Sequence, residues 1–289
     1  MPDPKRRTLP PVPAALLAIV SVQGGATIAK RLFPVLGAAG TAGIRIGLSA
    51  VMLMLVFRPS VQALRAGRWR LVVPYGLVLA AMNLLFYLAI ERIPLGLAVT
   101  LEFLGPLVLA VAGSRGALDF VWVALAASGI ALIAPWNRGG VDLIGALLAT
   151  LAGAGWAAYI VLGGRVSRVL PGGPAVALGL SVATIAILPF TLAGGGLTHL
   201  TPSLLAAGAV LALLSSALPF TLEMHALGAM PARTFGVLMS LEPAIAAICG
   251  LLLLRERLTG AQWVSVALVI AASAGATATA RKVPVHVEC

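Results

Sequence analysis

The sequence predicts an all-α integral membrane protein whose ten transmembrane helices form an inverted five-plus-five repeat. Three observations predict it. First, only 10% of the 289 residues are charged and 60% are hydrophobic, whereas soluble domains carry about 25% charged residues. Most of the surface must therefore face something other than water. Second, apolar runs of about 20 residues, the length that crosses a bilayer core, occur ten times. Third, prolines and leucines recur at matching places in the two halves.

The first run, Pro13 to Ala29, follows Lys5, Arg6 and Arg7 and has the outline of a signal peptide. With nine further runs after it and no convincing cleavage site, it is read as a retained helix. The second run, Gly37 to Phe57, carries Arg45. The third, Leu71 to Ile90, has Asn83 and Tyr87 one turn apart. The fourth, Leu95 to Gly113, contains Glu102 and Pro106, and the fifth is Phe120 to Trp136. The sixth, Leu143 to Gly163, holds Trp156 and Tyr159, and the seventh is Pro174 to Ala193. The eighth, Leu204 to Met224, ends near Pro219 and Glu223. The ninth, Thr234 to Leu254, contains Glu242 and Pro243, and Thr259 to Ala280 is the tenth. Only tails and short connectors remain, so no soluble domain fits.

With both termini in the cytoplasm, thirteen basic residues fall inside: Lys5, Arg6, Arg7, Arg58, Arg65, Arg68, Arg70, Arg115, Arg165, Arg168, Arg233, Arg281 and Lys282. Six fall outside: Lys30, Arg31, Arg92, Arg138, Arg255 and Arg257. The positive-inside bias selects that orientation. The net charge of +11 thus orients helices, since no aromatic-rich basic face points to nucleic acid.

A shift of 137 residues sets Pro94 on Pro231, Leu101 on Leu238, Leu104 on Leu241 and Pro106 on Pro243. A weaker match sets Ala146-Leu-Leu-Ala149 on Ala15-Leu-Leu-Ala18. The halves are residues 1–140 and 141–289. Five spans each is an odd number, so the halves insert in opposite directions, the arrangement of many secondary transporters with a midplane site and alternating access.

An ionisable side chain at mid-helix costs roughly 2.5–3.5 kcal/mol in lipid. Glu102, Glu223 and Glu242 are therefore expected to point inward. Pro106 and Pro243 would each remove a backbone donor, freeing the carbonyls of Glu102 and Met239 beside the acidic side chains. Such a site attracts cations, donors or an ammonium group. A kinked helix with a protonated, hydrogen-bonded carboxyl is the alternative, and Glu223 could simply reach the headgroups. Arg45 could bind a solute carboxylate, pair with a glutamate, or snorkel. Asn83, Tyr87, Trp156 and Tyr159 could line a pocket or bond between helices and sit in an aromatic belt. Gly43/Gly47 and Gly145/Ala149/Gly153 suit close helix packing. His199 and His225 are read as interfacial, and Glu256 as holding the turn before the last helix.

No P-loop or other nucleotide motif is present. Cys249 and Cys289 have no CxxC partner, the three histidines have no ligand spacing, and Cys289 lacks the prenylation pattern. No cofactor, metal or disulfide framework is expected. An intramembrane enzyme would need a nucleophile with its base, a metal cluster or a carboxylate dyad, and nothing pairs the glutamates in sequence.

Several blocks together resemble a known family. They are Val22-Gln-Gly-Gly-Ala-Thr-Ile-Ala-Lys30, Met82 to Ala89, Pro94-Leu-Gly-Leu-Ala-Val-Thr-Leu-Glu-Phe-Leu-Gly-Pro106, Asp119 to Val123, and Arg233 to Pro243. They are similar to the EamA group of the drug/metabolite transporter superfamily, in its threonine/homoserine exporter (RhtA-type) branch. Leu254 to Thr259 resembles the group's Glu-x-Leu-Thr mark, with Arg255 where Gly is commoner. Generic members lack acidic residues in the positions of Glu102 and Glu242, so these two carry the branch. The resemblance implies a multi-pass protein of a bacterial plasma membrane that exports small amino acids. Proton exchange at Glu102 or Glu242 would drive it. Export of drugs or another metabolite class is the alternative. The resemblance supplies no mapped site, so the substrate-binding candidates rest on the residues themselves: Glu102, Glu242, Glu223, Arg45, Asn83, Tyr87, Trp156 and Tyr159.

Overall fold

The computed structural model describes residues 9–59, 68–112, 117–133, 142–166, 169–170, 172–219, 222–223, 226, 235 and 238–279. Lys5, Arg6, Arg7, Arg65, Arg115, Arg138, Arg168, His225, Pro231, Arg233, Arg281, Lys282 and Cys289 lie outside them, as do the predicted span ends Gly113, Trp136, Met224, Thr234 and Ala280. All regular structure among the described residues is helical.

Helix α1 runs from Pro11 to Phe57 but is two arms meeting at a kink. Pro34 leaves the Lys30 carbonyl without its helical donor, and Gly37 adopts φ 67, ψ 166, which a side chain would disfavour. The kink falls between the first two predicted spans. Helix α2 is Trp69–Arg92. The fourth predicted span is broken: α3, Leu95–Glu102, and α4, Leu104–Ala112, meet at Phe103. Helices α5 (Ala117–Ile133), α6 (Leu143–Val166) and α7 (Gly172–Ala193) follow. The exposed His199 ends a short 3-10 turn, Gly196–His199. Helix α8, Pro202–Ala212, runs into a π-helical turn, Leu213–Ala217. Helices α9 (Glu242–Leu254) and α10 (Gly260–Thr279) complete the described chain.

Local chemistry sets these boundaries. Thr201 Oγ1 accepts from Leu204 N ahead of Pro202, a side-chain cap followed by proline in the first turn. Asp142 Oδ1 accepts from Gly145 N at 3.0 Å. That bond, with Arg92 beside it, holds the exposed Asp142 carboxyl below the usual carboxylate range. Thr259 and Gln262 bond each other's backbone N–H in a capping box before α10. Arg255 ends α9 at φ 59, and Glu256 N reaches back to the Gly250 carbonyl at 3.0 Å. This is the left-handed closing position that favours glycine, and Arg255 adopts it with a side chain.

Pro243 does not kink a continuous helix, as the sequence led one to expect. A turn at Ser240 and Leu241 precedes it, and it sits in the first turn of α9, where its missing N–H costs nothing. The acidic residues therefore flank two helix breaks. Glu102 is the last residue of α3 and Glu242 the first of α9.

Five helices, α1, α2, α6, α7 and α10, are long and apolar enough to cross a membrane, and the described parts of the others are shorter but apolar. The outward face is apolar too: Phe120 is 78% exposed and Ile185 72%, as suits lipid contact. Helix α2 packs on α6 and α7, and α1 on α7, α8 and α9. Helix α3 packs on α6 and α9, α4 on α6, and α5 on α10. Small residues permit the closest approaches. Gly43 meets Thr191 on α7, and Gly145 meets Arg92 and Ile93. A Cβ on Gly153 would strike the Glu102 carbonyl, and one on Gly105 the Gly153 carbonyl. Gly153→Ala is expected to cost about 1–3 kcal/mol by overpacking, read as a lower unfolding temperature of the detergent-solubilised protein. An unchanged temperature would mean that α3 and α4 move away from α6 at no cost.

Candidate solute-binding site

A cavity of about 240 Å³ lies among α1, α2, α3, α6, α7 and the π turn after α8. The volume is close to the lower end of the about 300–1,000 Å³ usual for small-molecule sites. Arg45, Asn83, Glu102, Trp156, Tyr159, Glu223 and Glu242 all line it. Seven of the eight candidates thus share one cavity wall. Tyr87 does not. It is 1% exposed and its ring lies under the Arg45 guanidinium, 5.5 Å from Cζ to the ring centroid.

Arg45 does not snorkel. Its Nη1 donates to Asn83 Oδ1 at 2.6 Å and its Nη2 to the Ser215 carbonyl at 3.2 Å. Asn83 in turn donates to the Leu79 carbonyl at 2.8 Å. The guanidinium is fixed at depth by two helices and a ring face, with donors to spare. Its fork suits a carboxylate held in two places.

Glu102 and Glu242 lie within electrostatic reach of each other, and Glu242 of Glu223 as well, while Arg45 acts on Glu102. None of the three carboxyls forms an ion pair among the described residues. Glu223 lines the cavity. A second cavity of about 320 Å³ shares Trp156, Glu223 and Glu242 as its wall and adds Ser273 and Thr277. The aromatic side of the site is stiff: Trp156 meets Phe103 edge-on at 4.8 Å, and Tyr159 stacks on Tyr75 at 5.2 Å.

Sequence reading missed Gln23 and Ser215, which also line the cavity; Ser216, on the helical face of Glu223, lines it too. It also missed the π turn that presents the two serines. A π turn shifts the backbone register. Here the Leu214 carbonyl accepts from Ser21 Oγ at 2.7 Å and the Ser215 carbonyl from Arg45. The motif Gln23-Gly-Gly25 was the one available signal, and it entered only as part of a resemblance.

The cavity's lining includes Leu53 and Val176, near the C-terminus of α1 and the N-terminus of α7. The other end of the bundle is tied by charge. Lys30 Nζ donates to Glu256 Oε1 and to the Ile93 carbonyl, and Glu256 Oε2 accepts from Leu95 N at 2.8 Å, at the start of α3. Arg31 donates to the Leu253 carbonyl at 2.7 Å. Glu256 therefore does more than hold its own turn: it joins the α1 kink to the α2–α3 corner.

Residues 143–278 match the model of the EamA-like transporter family. The threonine/homoserine exporter RhtA of Salmonella typhimurium LT2 is 45% identical over 288 residues, covering 95% of this chain and 93% of its own. The protein of that name in Escherichia coli K12 is 45% identical over 286 residues, 94% of this chain and 92% of its own. A crystal structure of a protein 19% identical superposes with a TM-score of 0.56 over 94% of this chain and 98% of that one, a likeness of fold. Apolar helices around a polar cavity, and relatives matched along nearly the whole length, describe a membrane transporter and not an enzyme: the chain belongs to the EamA-like transporter family.

Proposed function

We propose that this protein exports small zwitterionic amino acids of the threonine and homoserine kind from a bacterial cytoplasm, in exchange for protons. The observation that carries the reading is the pairing, within one cavity, of a fixed guanidinium with three carboxyls that form no ion pair among the described residues. Arg45 suits a solute carboxylate, and Glu102 and Glu242 suit its ammonium group. The relatives' names supply the substrate class. A carboxyl that holds either a proton or an ammonium group, but not both, couples the two flows.

Alternating access follows from an inverted repeat of residues 1–140 and 141–289, with both termini cytoplasmic. Helix pairings support the repeat. Exchanging each span for its counterpart turns the α2–α7 contact into that of α8 with the second arm of α1, where Gly208 meets Ile44, while α3–α9 and α5–α10 map onto themselves. In this reading the Lys30–Glu256 cluster closes the outer end while the cavity faces the cytoplasm. Glu256→Gln should weaken that closure. The comparison uses a chain with Cys249 and Cys289 replaced by serine and Ala26→Cys as reporter. A membrane-impermeant thiol reagent added outside should label it at least about fivefold faster, the population shift of about 1 kcal/mol from a lost charged hydrogen bond. Glu256→Asp, which keeps the charge and the acceptor oxygens, should label more slowly than Glu256→Gln. Equal labelling in all three would remove the cluster's gating role.

The primary test is release of labelled threonine or homoserine from preloaded right-side-out and inverted vesicles, with and without a pH gradient. Gradient-driven movement of either supports the proposal. Movement of neither, with broad resistance to unrelated compounds on overexpression, would transfer the site to a drug or another metabolite.

A further inference from the structure

Charge recognition uses Arg45 and the glutamates, and most other polar groups of the cavity are already engaged. Asn83 is held at both ends of its amide. Ser216 Oγ accepts from Ser49 Oγ at 2.9 Å, and Tyr159 is paired with Tyr75. Two neutral side chains differ. Gln23 is 3% exposed and Ser215 8%, yet Gln23 Oε1 and Ser215 Oγ have no hydrogen-bond partner. Among the described residues only four buried side-chain polar atoms lack a partner, and three of them, including Arg45 Nε, belong to residues lining this cavity. An unpaired buried polar atom is a standing cost, and its concentration at one cavity wall points to a ligand group that satisfies it.

We infer that Gln23 and Ser215 form a subsite for the side-chain hydroxyl of the transported amino acid. This deepens the amino-acid export reading and rests on it. A hydroxyl is both donor and acceptor: it donates to Gln23 Oε1 and accepts from Ser215 Oγ. Ser215 Oγ lies against Gly25, two residues from Gln23, at the place a Cβ on position 25 would occupy, so the glycine is what lets the two groups share one wall. The spacing to the carboxylate end is built in, since the backbone carbonyl of the same Ser215 is bonded to Arg45 Nη2. Threonine and homoserine are one four-carbon 2-amino acid hydroxylated at adjacent carbons. Two groups on two helices can meet either hydroxyl, while the parent 2-aminobutyrate leaves both unpaired. Sites that bond a hydroxyl reject the analogue lacking it strongly.

The test is competition by threonine, homoserine and 2-aminobutyrate against labelled threonine counterflow in proteoliposomes. In the wild-type protein each hydroxylated amino acid should compete at least about tenfold better than 2-aminobutyrate. Gln23→Leu and Ser215→Ala should bring that ratio towards one by weakening the hydroxylated competitors. Ser215→Ala removes a single oxygen and gives the answer if Gln23→Leu fails to insert. A preference that survives in Ser215→Ala and in every inserted Gln23→Leu sample overturns the subsite, as does a wild-type protein that competes all three equally. If none of the three moves or competes, the export reading itself is wrong.

Discussion

Proteoliposomes carrying Glu102→Gln are expected to lose pH-gradient-driven threonine export by about 30-fold or more, with the protein inserted and folded as before. Glutamine keeps the length and shape of the side chain, so the contact of the Glu102 backbone with Gly153 is undisturbed. What disappears is the ability to hold a proton or an ammonium charge. Removing one partner of a buried charged interaction costs roughly 2–5 kcal/mol, which is the source of the fold-change. Glu242→Gln should behave alike, because it shares the cavity and interacts with Glu102. Full gradient-driven activity in both variants would end the coupling role of these carboxyls. Loss in one alone would assign the proton and the ammonium group to that carboxyl and leave the other without a coupling role.

Arg45→Gln carries an equally large expected effect by another route. Glutamine cannot offer the charged fork, and it leaves the Ser215 carbonyl without its donor. Threonine transport should fall by about 30-fold or more on the same scale. The sharper readout is specificity. The wild-type protein should prefer threonine to its carboxamide, which lacks the anionic group, and Arg45→Gln should lose that preference. Arg45→Lys keeps the charge but not the bidentate geometry and should recover only part of it. If the variant still prefers threonine, the guanidinium is a structural strut between α1, Asn83 and the π turn, and the carboxylate binds elsewhere. Tyr87 belongs to this strut: its buried ring supports the guanidinium from below, and it holds the arginine without touching the solute cavity.

Much of this was legible in the residues alone. Span length follows from bilayer thickness and helix rise, and backbone groups in lipid must be satisfied internally, so an all-helical chain was the only solution. That Glu102, Glu223, Glu242 and Arg45 turn to an interior cavity was also readable, because the cost of a charge in hydrocarbon belongs to the single residue and its position in a run. Proline marked the right places and misled about one of them. Pro106 lies just beyond a break at Phe103, whereas Pro243 opens α9 after a turn that proline content does not distinguish from a kink.

Only the tertiary structure decided which residues meet. Gln23 and Ser215 are neutral, so burying them carries no penalty large enough to stand out in a sequence, and their lack of partners is a property of three dimensions. The π turn depends on how α8 meets α1, through Ser21, Gly25 and Arg45. Lys30 and Glu256 are 226 residues apart, and each taken alone reads as an ordinary loop charge. Membrane residence, helix content and inward charges follow from the cost of placing each residue in lipid. The cavity, the unpartnered oxygens of Gln23 and Ser215 in its wall and the Lys30–Glu256 contact follow from packing between distant helices, which no local pattern encodes.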